Sequence, residues 1–166
     1  RNPRMGAMYL QGNRTKRSIV LDLKKQRGRG ALLRLSATAD VFIHNVRPAA
    51  MRRLKLSADD LLAHNPRLVY VGLHGFGEDG PYAGRPAYDD LIQGLTALPA
   101  LVGNITGEPR YSPATIADRI VGLNATHAIL AGLLHRDRTG EGQAIAVPLF
   151  ETMAEFVLGD HMAGRS

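Results

Sequence analysis

The sequence predicts an α/β fold in which helices flank a parallel sheet, and three observations lead to this prediction. Short apolar runs rich in β-branched residues alternate with helical patterns along the first half of the chain, as in parallel sheets with right-handed crossovers. The 166 residues are 45% hydrophobic and 22% charged, which suits one globular domain with its own core. Cysteine is absent, which excludes disulfides and cysteine-ligated metal centres and favours a reducing compartment, the cytoplasm.

The first half of the chain is predicted to form a β-α-β core over about residues 18–74. Its strands are short runs of β-branched and aliphatic residues at 18–23, 40–44 and 67–73. The intervening helices are predicted at 25–38, 48–54 and 57–63. The last of these begins with Ser57 and Asp60 at the spacing of a capping box.

The second half is predicted to be mainly helical, after a Gly- and Pro-rich loop at 75–87. Helices are expected at 88–98, 116–136 and around 150–158, with a loop at 103–113 and a strand at 143–147. One helix carries an apolar stripe that predicts its core-facing side: Ile116, Ile120, Leu123, His127, Leu130 and Leu134. We therefore expect His127 to be a hydrogen-bonded core residue.

Positive charge is concentrated at the start of the chain. The formal net charge is +6, and residues 1–34 hold ten Lys and Arg side chains against one Asp. This asymmetry indicates an anionic partner, either nucleic acid or a phosphorylated small molecule. Aromatic residues make up only 5% of the chain and Trp is absent, so a stacking platform for single strands is poorly supported.

Asp118 stands in the first turn of the longest predicted helix and admits two interpretations. Thr115 and Asp118 have the spacing of a capping box, in which both side chains bond backbone N–H groups. Alternatively, Asp118 shares a helix face with Gly122, Ala125 and Gly132, small residues that let a ligand or another backbone come close. A carboxylate at the positive end of a helix is favoured in its ionised form and can attack a carbonyl carbon as a nucleophile.

Motifs of several other enzyme classes are missing. The six histidines show no metal-ligand spacing, although His74 lies where sites are common, between a strand and a Gly-rich loop. The sequence contains no nucleophile elbow, no P-loop and no dinucleotide-binding glycine motif, which disfavours the corresponding enzymes.

Several ordered blocks of sequence carry a further signal. They are NRTKRSIVLDLK at 13–24, ADVFIHNVRP at 39–48, NPRLVYV at 65–71, GFGEDGPY at 75–82, RPAYD at 85–89, IAD at 116–118 and RTGEGQ at 138–143. Together they resemble the class III CoA-transferases, a family that includes formyl-CoA and carnitine CoA-transferases and the related α-methylacyl-CoA racemases.

The resemblance implies that Asp118 is the catalytic nucleophile, that coenzyme A enters as an acyl-CoA substrate, and that no metal takes part. The CoA-contacting positions that it implies are Leu21, Lys24, Asn45, Val46, Arg47, Arg53, Arg85 and Tyr88. Lys and Arg side chains near strand ends suit the phosphate groups of CoA, which explains the positive charge without nucleic acid. The expected partners are an acyl-CoA and a carboxylic acid, with neither nucleic acid nor a membrane.

The resemblance also implies a larger protein that forms an interlocked homodimer. Family members are well over twice this length, so we expect the chain to be a fragment, or other parts of the protein to lie outside it. Residues 1–166 are then part of a Rossmann-like large domain, with a core at 18–74, a loop at 75–87 and a nucleophile-bearing helical part at 88–166. The family's flexible Gly-rich active-site loop is not in this sequence.

Three functions remain open at this point. The first is CoA transfer through an acyl–aspartyl anhydride and an aspartyl-CoA thioester at Asp118. The second is racemisation of an acyl-CoA by an acid/base pair. The family's racemases use a histidine thirty residues before the aspartate, where this chain has Tyr88, which favours transfer. The third is a non-catalytic module whose basic arm binds an anionic partner, nucleic acid or another subunit.

Overall fold

The computed structural model of the chain describes residues 6–163. Within that range the elements are α1 (Ala7–Gly12), α2 (Gln26–Ser36), β1 (Val41–His44), α3 (Pro48–Leu54), α4 (Ala58–Leu62), β2 (Val69–His74), α5 (Asp89–Leu95), α6 (Leu98–Thr106), α7 (Ile116–Thr139), β3 (Gln143–Pro148) and α8 (Leu149–Met162). No helix of this range is both long enough and apolar enough to cross a membrane.

The three strands form one parallel sheet in the order β1-β2-β3, with β2 in the centre. Val69 of β2 is paired with Val41 of β1 on one side and with Gln143 of β3 on the other. Residues 68–71 are all buried, as expected for a central parallel strand that is covered on both faces. The predicted α/β fold, a parallel sheet with flanking helices, is confirmed.

Side chains alternate between the two faces of β2 and so divide the core into two clusters. Val69 and Val71 pack on one face against α5, α7 and α8. Leu68 and Tyr70 pack on the other face against α2, α3 and α4. Because helices cover both faces of the sheet, a ligand can reach it only at the ends of the strands.

The strand predicted at 18–23 is wrong. These residues are not in a strand, and the side chains of Ile19 and Val20 are 66% and 95% exposed. A β-branched run forms a strand only when a neighbouring strand accepts its hydrogen bonds, and no strand among the described residues pairs with it. The third strand of the sheet is instead β3, which the sequence does predict, whereas α1 is not predicted.

The long helix α7 turns a different face to the core from the one that the apolar stripe predicts. Leu123, Leu130 and Leu134 are 63%, 60% and 53% exposed, and His127 is exposed as well. The predicted core role of His127 is therefore wrong. The buried residues of α7 are the smaller ones: Ala117, Val121, Ala125 and Gly132.

The close approach of α7 to the sheet explains why its small residues are buried. A Cβ atom at Gly132 would lie 2.9 Å from Ile145 Cδ1 and 3.0 Å from Val69 Cγ1. Larger residues on this face would hold the helix away from the strands. The predicted close approach to the small-residue face therefore occurs at Gly132, and what approaches there is the sheet of the chain itself.

Two helix boundaries differ from the prediction, and one cap agrees with it. The helix predicted at 88–98 is divided, because Ala97 between α5 and α6 adopts a φ of 54° in the left-handed region. Helix α6 then continues past Gly103, where a loop was expected, and ends at Gly107 with a φ of 84°. The capping box of Ser57 and Asp60 at the start of α4 is confirmed.

Candidate active site

A cleft of about 1460 Å³ opens beside the carboxyl ends of β1 and β2, between α3, the loop at 75–87 and the first turns of α7. Open parallel sheets bind their ligands at this position. Six of the nine site residues that the sequence analysis names lie in its lining: Asn45, Arg47, Arg53, Arg85, Tyr88 and Asp118. The folded chain thus brings together residues that are up to 73 positions apart in the sequence.

The other three predicted site residues lie outside this cleft. Lys24 lines a second cleft of about 770 Å³ together with Arg53, which lines both clefts. Leu21 is half-buried and Val46 is 40% exposed, and neither lines either cleft. Arg53 therefore stands between two adjoining clefts, and the second one collects Lys24, Lys25, Arg29 and Lys55.

The start of α7 is capped from another helix and not by its own capping box. Thr115 is the N-cap residue, but its side chain makes no capping hydrogen bond. The Asp118 backbone N–H instead donates to Asp89 Oδ2 at 2.9 Å. The capping-box interpretation of Thr115 and Asp118 is therefore wrong. The Asp118 carboxylate makes no hydrogen bond within residues 6–163.

Asp89 is held in place by a buried glutamine. Gln93 is 2% exposed, and its Nε2 donates to Asp89 Oδ1 at 2.6 Å. Gln93 Oε1 accepts the Ser112 N–H at 2.9 Å, so one side chain ties α5 to the segment that leads into α7. Neither Asp89 nor Gln93 is predicted as a site residue from the sequence, although Asp and Gln at a spacing of four on a helix are a recognisable hydrogen-bonding pair.

The surroundings of Asp118 disfavour its charged form. Burial raises the pKa of the Asp118 carboxyl, and the nearby negative charge of Asp89 raises it further. Both effects raise this pKa, whereas the positive end of the helix dipole lowers it. The residue itself is exposed in the part of the chain that the structure describes. A carboxylate that accepts no N–H group is a better nucleophile than one that is stabilised by such donors.

Two histidines lie at the strand ends beneath the cleft, with ring centroids 5.9 Å apart. His44 Nδ1 accepts the Val46 N–H at 3.1 Å, and its Nε2 lies 2.7 Å from Tyr70 Oη. Nε2 therefore carries the proton and donates to the Tyr70 hydroxyl, which in turn donates to the Leu56 carbonyl at 3.3 Å. Burial raises the pKa of Tyr70 to about 12 and lowers that of His44.

His74 is the histidine that reaches the cleft lining. Its ring lies over Gly72, where a Cβ atom would come within 2.4 Å of Nε2. Its Nδ1 is buried without a hydrogen-bond partner in the part of the chain that the structure describes. Burial lowers the pKa of His74, partly offset by the charge of Glu78, so the ring is neutral near pH 7.

The loop at 75–87 forms one wall of the cleft and is anchored to α8. Phe76 is 5% exposed, and the Gly77 N–H donates to Glu151 Oε1 at 2.8 Å. Further along, the Arg85 guanidinium lies 5.0 Å from the centre of the Tyr82 ring. The anchored loop therefore holds Arg85 beside an aromatic face, in a position to receive an anion.

Positive charge dominates the outer part of the cleft, while Asp89 and Asp118 lie together at the start of α7. Among the described residues, no carboxylate comes within 4.0 Å of Arg47, Arg53 or Arg85, whereas Arg52 is paired with Glu78. Within the same residues, no group of His, Asp and Glu side chains is arranged to hold a metal ion. The arrangement can bind a multiply charged anion whose reactive end reaches a free carboxylate.

Fold and site together define an α/β domain in which a carboxylate lines an arginine-rich cleft at the ends of parallel strands. The sequence matches the model of CoA-transferase family III over residues 1–165. The chain belongs to this family, and the family predicted from its sequence blocks is confirmed.

Individual relatives agree with this assignment. The chain is 36% identical over 156 residues to a succinate–glutarate CoA-transferase of Agrobacterium fabrum, covering 94% of this chain and 39% of the relative. It is 37% identical over 146 residues to an acetyl-CoA:oxalate CoA-transferase of Acetobacter aceti, covering 87% of this chain and 38% of that protein. The chain thus spans about two fifths of the length of these curated relatives.

A solved structure shows the same fold. A CAIB/BAIF family protein from Brucella suis superimposes with a TM-score of 0.86 at 38% sequence identity. The match covers 93% of this chain and 42% of that protein. The parallel sheet and its helices are therefore shared with a part of a larger family member.

Proposed function

We propose that the complete protein moves CoA between two carboxylic acids and that Asp118 is the nucleophile. The observation that carries the proposal is the Asp118 carboxylate, which lines an arginine-rich cleft without a hydrogen bond to any described residue. The names of the relatives, which are CoA-transferases, support the same chemistry. Asp89 holds the start of α7 in place and so leaves the Asp118 side chain free.

CoA fits the distribution of positive charge along the two clefts. Its pyrophosphate and 3′-phosphate need cationic donors, and Arg47, Arg53 and Arg85 line the main cleft without a carboxylate partner among the described residues. Arg53 leads into the second cleft, where Lys24 lies. We assign the nucleotide end of CoA to this outer region and the thioester to the neighbourhood of Tyr88 and Asp118.

The first half of the reaction transfers the acyl group and then the CoA. An Asp118 oxygen attacks the thioester carbonyl carbon, the C–S bond breaks, and an acyl–aspartyl anhydride and a CoA thiolate result. The thiolate attacks the Asp118 carbonyl carbon of the anhydride. The first carboxylate leaves, and an aspartyl-CoA thioester remains.

The second half runs the same steps in reverse with a different acid. The acceptor carboxylate attacks the aspartyl thioester, which releases the thiolate and forms a new anhydride. The thiolate attacks the acyl carbon of the acceptor, which leaves as acyl-CoA while the Asp118 carboxylate is restored. Each step exchanges one anion for another, so no proton has to be transferred, and backbone N–H groups have to stabilise the tetrahedral oxyanions.

The decisive experiment follows an oxygen atom onto Asp118. The full-length protein is incubated with an acyl-CoA and an acceptor acid whose carboxylate carries oxygen-18, digested and analysed by mass spectrometry. In the proposed steps the first acid leaves with an Asp118 oxygen, and the acceptor carboxylate replaces it, so each transfer adds oxygen-18 to the Asp118 carboxyl. We expect the label in the peptide that contains Asp118, in the wild type and in the Asp90→Ala control. An unlabelled Asp118 in a protein that turns over acyl-CoA would refute the nucleophile.

Racemisation remains the second candidate because His74 lines the same cleft as Asp118. A neutral imidazole and a carboxylate form the acid/base pair that proton exchange at the α-carbon requires. The position where the family's racemases carry a histidine holds Tyr88 in this chain, and this favours transfer because a phenol is a poor proton acceptor. We expect no deuterium uptake from solvent at the α-carbon of a 2-methylacyl-CoA. Rapid uptake that is lost in Asp118→Ala would establish the racemase instead.

We also propose that the complete protein is a cytoplasmic homodimer. Leu123, Leu130 and Leu134 form an exposed apolar stripe on α7, and exposed apolar surface of this kind is commonly covered by another chain. The absence of cysteine agrees with a reducing compartment. Light scattering of the full-length protein measures its mass in solution, and a monomeric mass would contradict the dimer.

A further inference from the structure

Arg52 differs from the other arginines of the cleft because it already has an acidic partner. It stands on α3, five residues after Arg47 and directly before Arg53, and lines the same cleft. Its Nη1 lies 3.4 Å from Glu78 Oε1. Glu78 belongs to the loop at 75–87, so this contact joins α3 to that loop within the cleft lining.

The contact is weak enough to be exchanged for a ligand. The side chains of Arg52 and Glu78 are 63% and 52% exposed, and exposed ion pairs are worth little because water and salt screen them. Only one guanidinium nitrogen contacts Glu78, which leaves the other donors of the fork unused by this partner. A phosphate group offers several oxygens and more charge, so it competes well for such a guanidinium.

The backbones on both sides of the pair are held in place. The Gly77 N–H donates to Glu151 Oε1 at 2.8 Å directly before Glu78. On the other side, Met51 next to Arg52 is 3% exposed and belongs to a core cluster. Replacing Glu78 by a ligand at Arg52 therefore requires only rotation of these two side chains and no movement of α3 or of the loop at 75–87.

We propose that Arg52 is a further anion-binding residue of the cleft and that Glu78 occupies it until a phosphate-bearing ligand takes its place. This inference rests on the proposed function in so far as the ligand is CoA. Glu78 then acts as a competitor that weakens CoA binding. Glu78 also excludes anions that bind Arg52 too weakly to displace its carboxylate. The pair is therefore selective for multiply charged phosphates.

The test is a titration of the full-length protein with CoA and with inorganic pyrophosphate, by calorimetry. Asp79→Asn is the matched control, because Asp79 is an exposed neighbouring acid that does not line the cleft. We expect Glu78→Gln to tighten binding about threefold more than Asp79→Asn does, and Arg52→Ala to weaken it about tenfold. In the Arg52→Ala background, Glu78→Gln should have no more effect than Asp79→Asn.

Two results would overturn the inference. One is a Glu78→Gln variant that binds both ligands no better than Asp79→Asn. The other is a gain from Glu78→Gln that persists undiminished without Arg52, which would show general charge repulsion. A wild type that binds pyrophosphate but not CoA refutes the proposed function, while the pyrophosphate titrations still decide the role of Arg52. Melting curves of all variants confirm that they are folded.

Discussion

The two walls of the cleft hold their charges in opposite ways. On the wall formed by α3 and the loop at 75–87, Arg47, Arg53 and Arg85 have no carboxylate partner among the described residues. On the wall formed by α5 and α7, Asp89 and Gln93 are joined in a hydrogen-bond network. On the proposed function, the arginines of the first wall bind the charges of the ligand, whereas the polar groups of the second wall position the Asp118 carboxylate. Substitutions on the second should therefore change turnover, and substitutions on the first should change binding.

The largest effect is expected for Asp118→Ala. Without the nucleophile, acyl transfer should fall by about 10³-fold or more. Because the Asp118 side chain caps nothing, the free energy of unfolding should change by no more than about 0.5 kcal/mol. Transfer kinetics and chemical denaturation of the same preparation check both statements. A variant that still transfers CoA, or one that fails to fold, would break the contrast between the two walls.

The second largest effect is expected for Asp89→Asn, because Asp89 positions Asp118 by accepting its backbone N–H. Asn offers a single acceptor oxygen where Asp offers two, so the bond from either the Asp118 N–H or Gln93 is lost. We expect kcat to fall about 10- to 100-fold with little change in KM.

The pH profile separates this positioning role from a merely structural one. The Asp89 charge raises the pKa of Asp118, so its removal lowers that pKa and should move the acid limb of kcat to lower pH. Asp90→Asn is the control, since Asp90 is exposed and does not line the cleft. An acid limb that stays in place would argue against electrostatic coupling of the two carboxyls.

Arginine variants on the opposite wall should affect affinity and leave kcat almost unchanged. Arg53 lines both clefts, so we expect Arg53→Ala to weaken CoA binding about tenfold and dephospho-CoA binding less. Arg47→Ala should weaken both ligands equally, as a contact to the pyrophosphate does. Calorimetric titration checks this, with Arg138→Ala on the far end of α7 as the control. Equal losses for Arg53→Ala would move Arg53 to the pyrophosphate or out of the site.

The smallest effect is expected for Tyr88→Phe. Tyr88 is 73% exposed at the start of α5, and its hydroxyl makes no hydrogen bond within the described residues. If the hydroxyl donates a single neutral hydrogen bond to the thioester oxygen, its loss should lower transfer only about two- to fivefold. Steady-state kinetics measure this, and a loss as large as that of Asp118→Ala would make Tyr88 a catalytic residue.

The sequence predicts well those features that depend on local patterns. The buried run of β2 and the capping box of Ser57 and Asp60 are each encoded by adjacent residues, and the structure agrees with both. The residues at 18–23 have the composition of a strand but lack a partner, and no local pattern carries that information.

The face of α7 and the network at its start depend on residues far apart in sequence. Hydrophobicity alone selects the leucines as the core face, because it does not register how closely Gly132 lets the helix approach Ile145. The hydrogen bond between Asp89 and the Asp118 backbone spans 29 positions. The family resemblance predicts Asp118 as a site residue. Only the three-dimensional structure shows that Asp89, and not a capping box of Thr115 and Asp118, caps the start of α7.

The tight contact at Gly132 fixes α7 against the sheet, and Asp118, the proposed nucleophile, lies in the first turn of this helix. Gly132 and Asp118 are fourteen positions apart, about 21 Å along a helix that rises 1.5 Å per residue. Any side chain at position 132 that lifts the helix from the strands therefore tilts its far end, where small displacements cost catalysis most. Gly132 does not line the cleft, yet substitutions at this position should disturb Asp118 more than substitutions on the exposed face of α7.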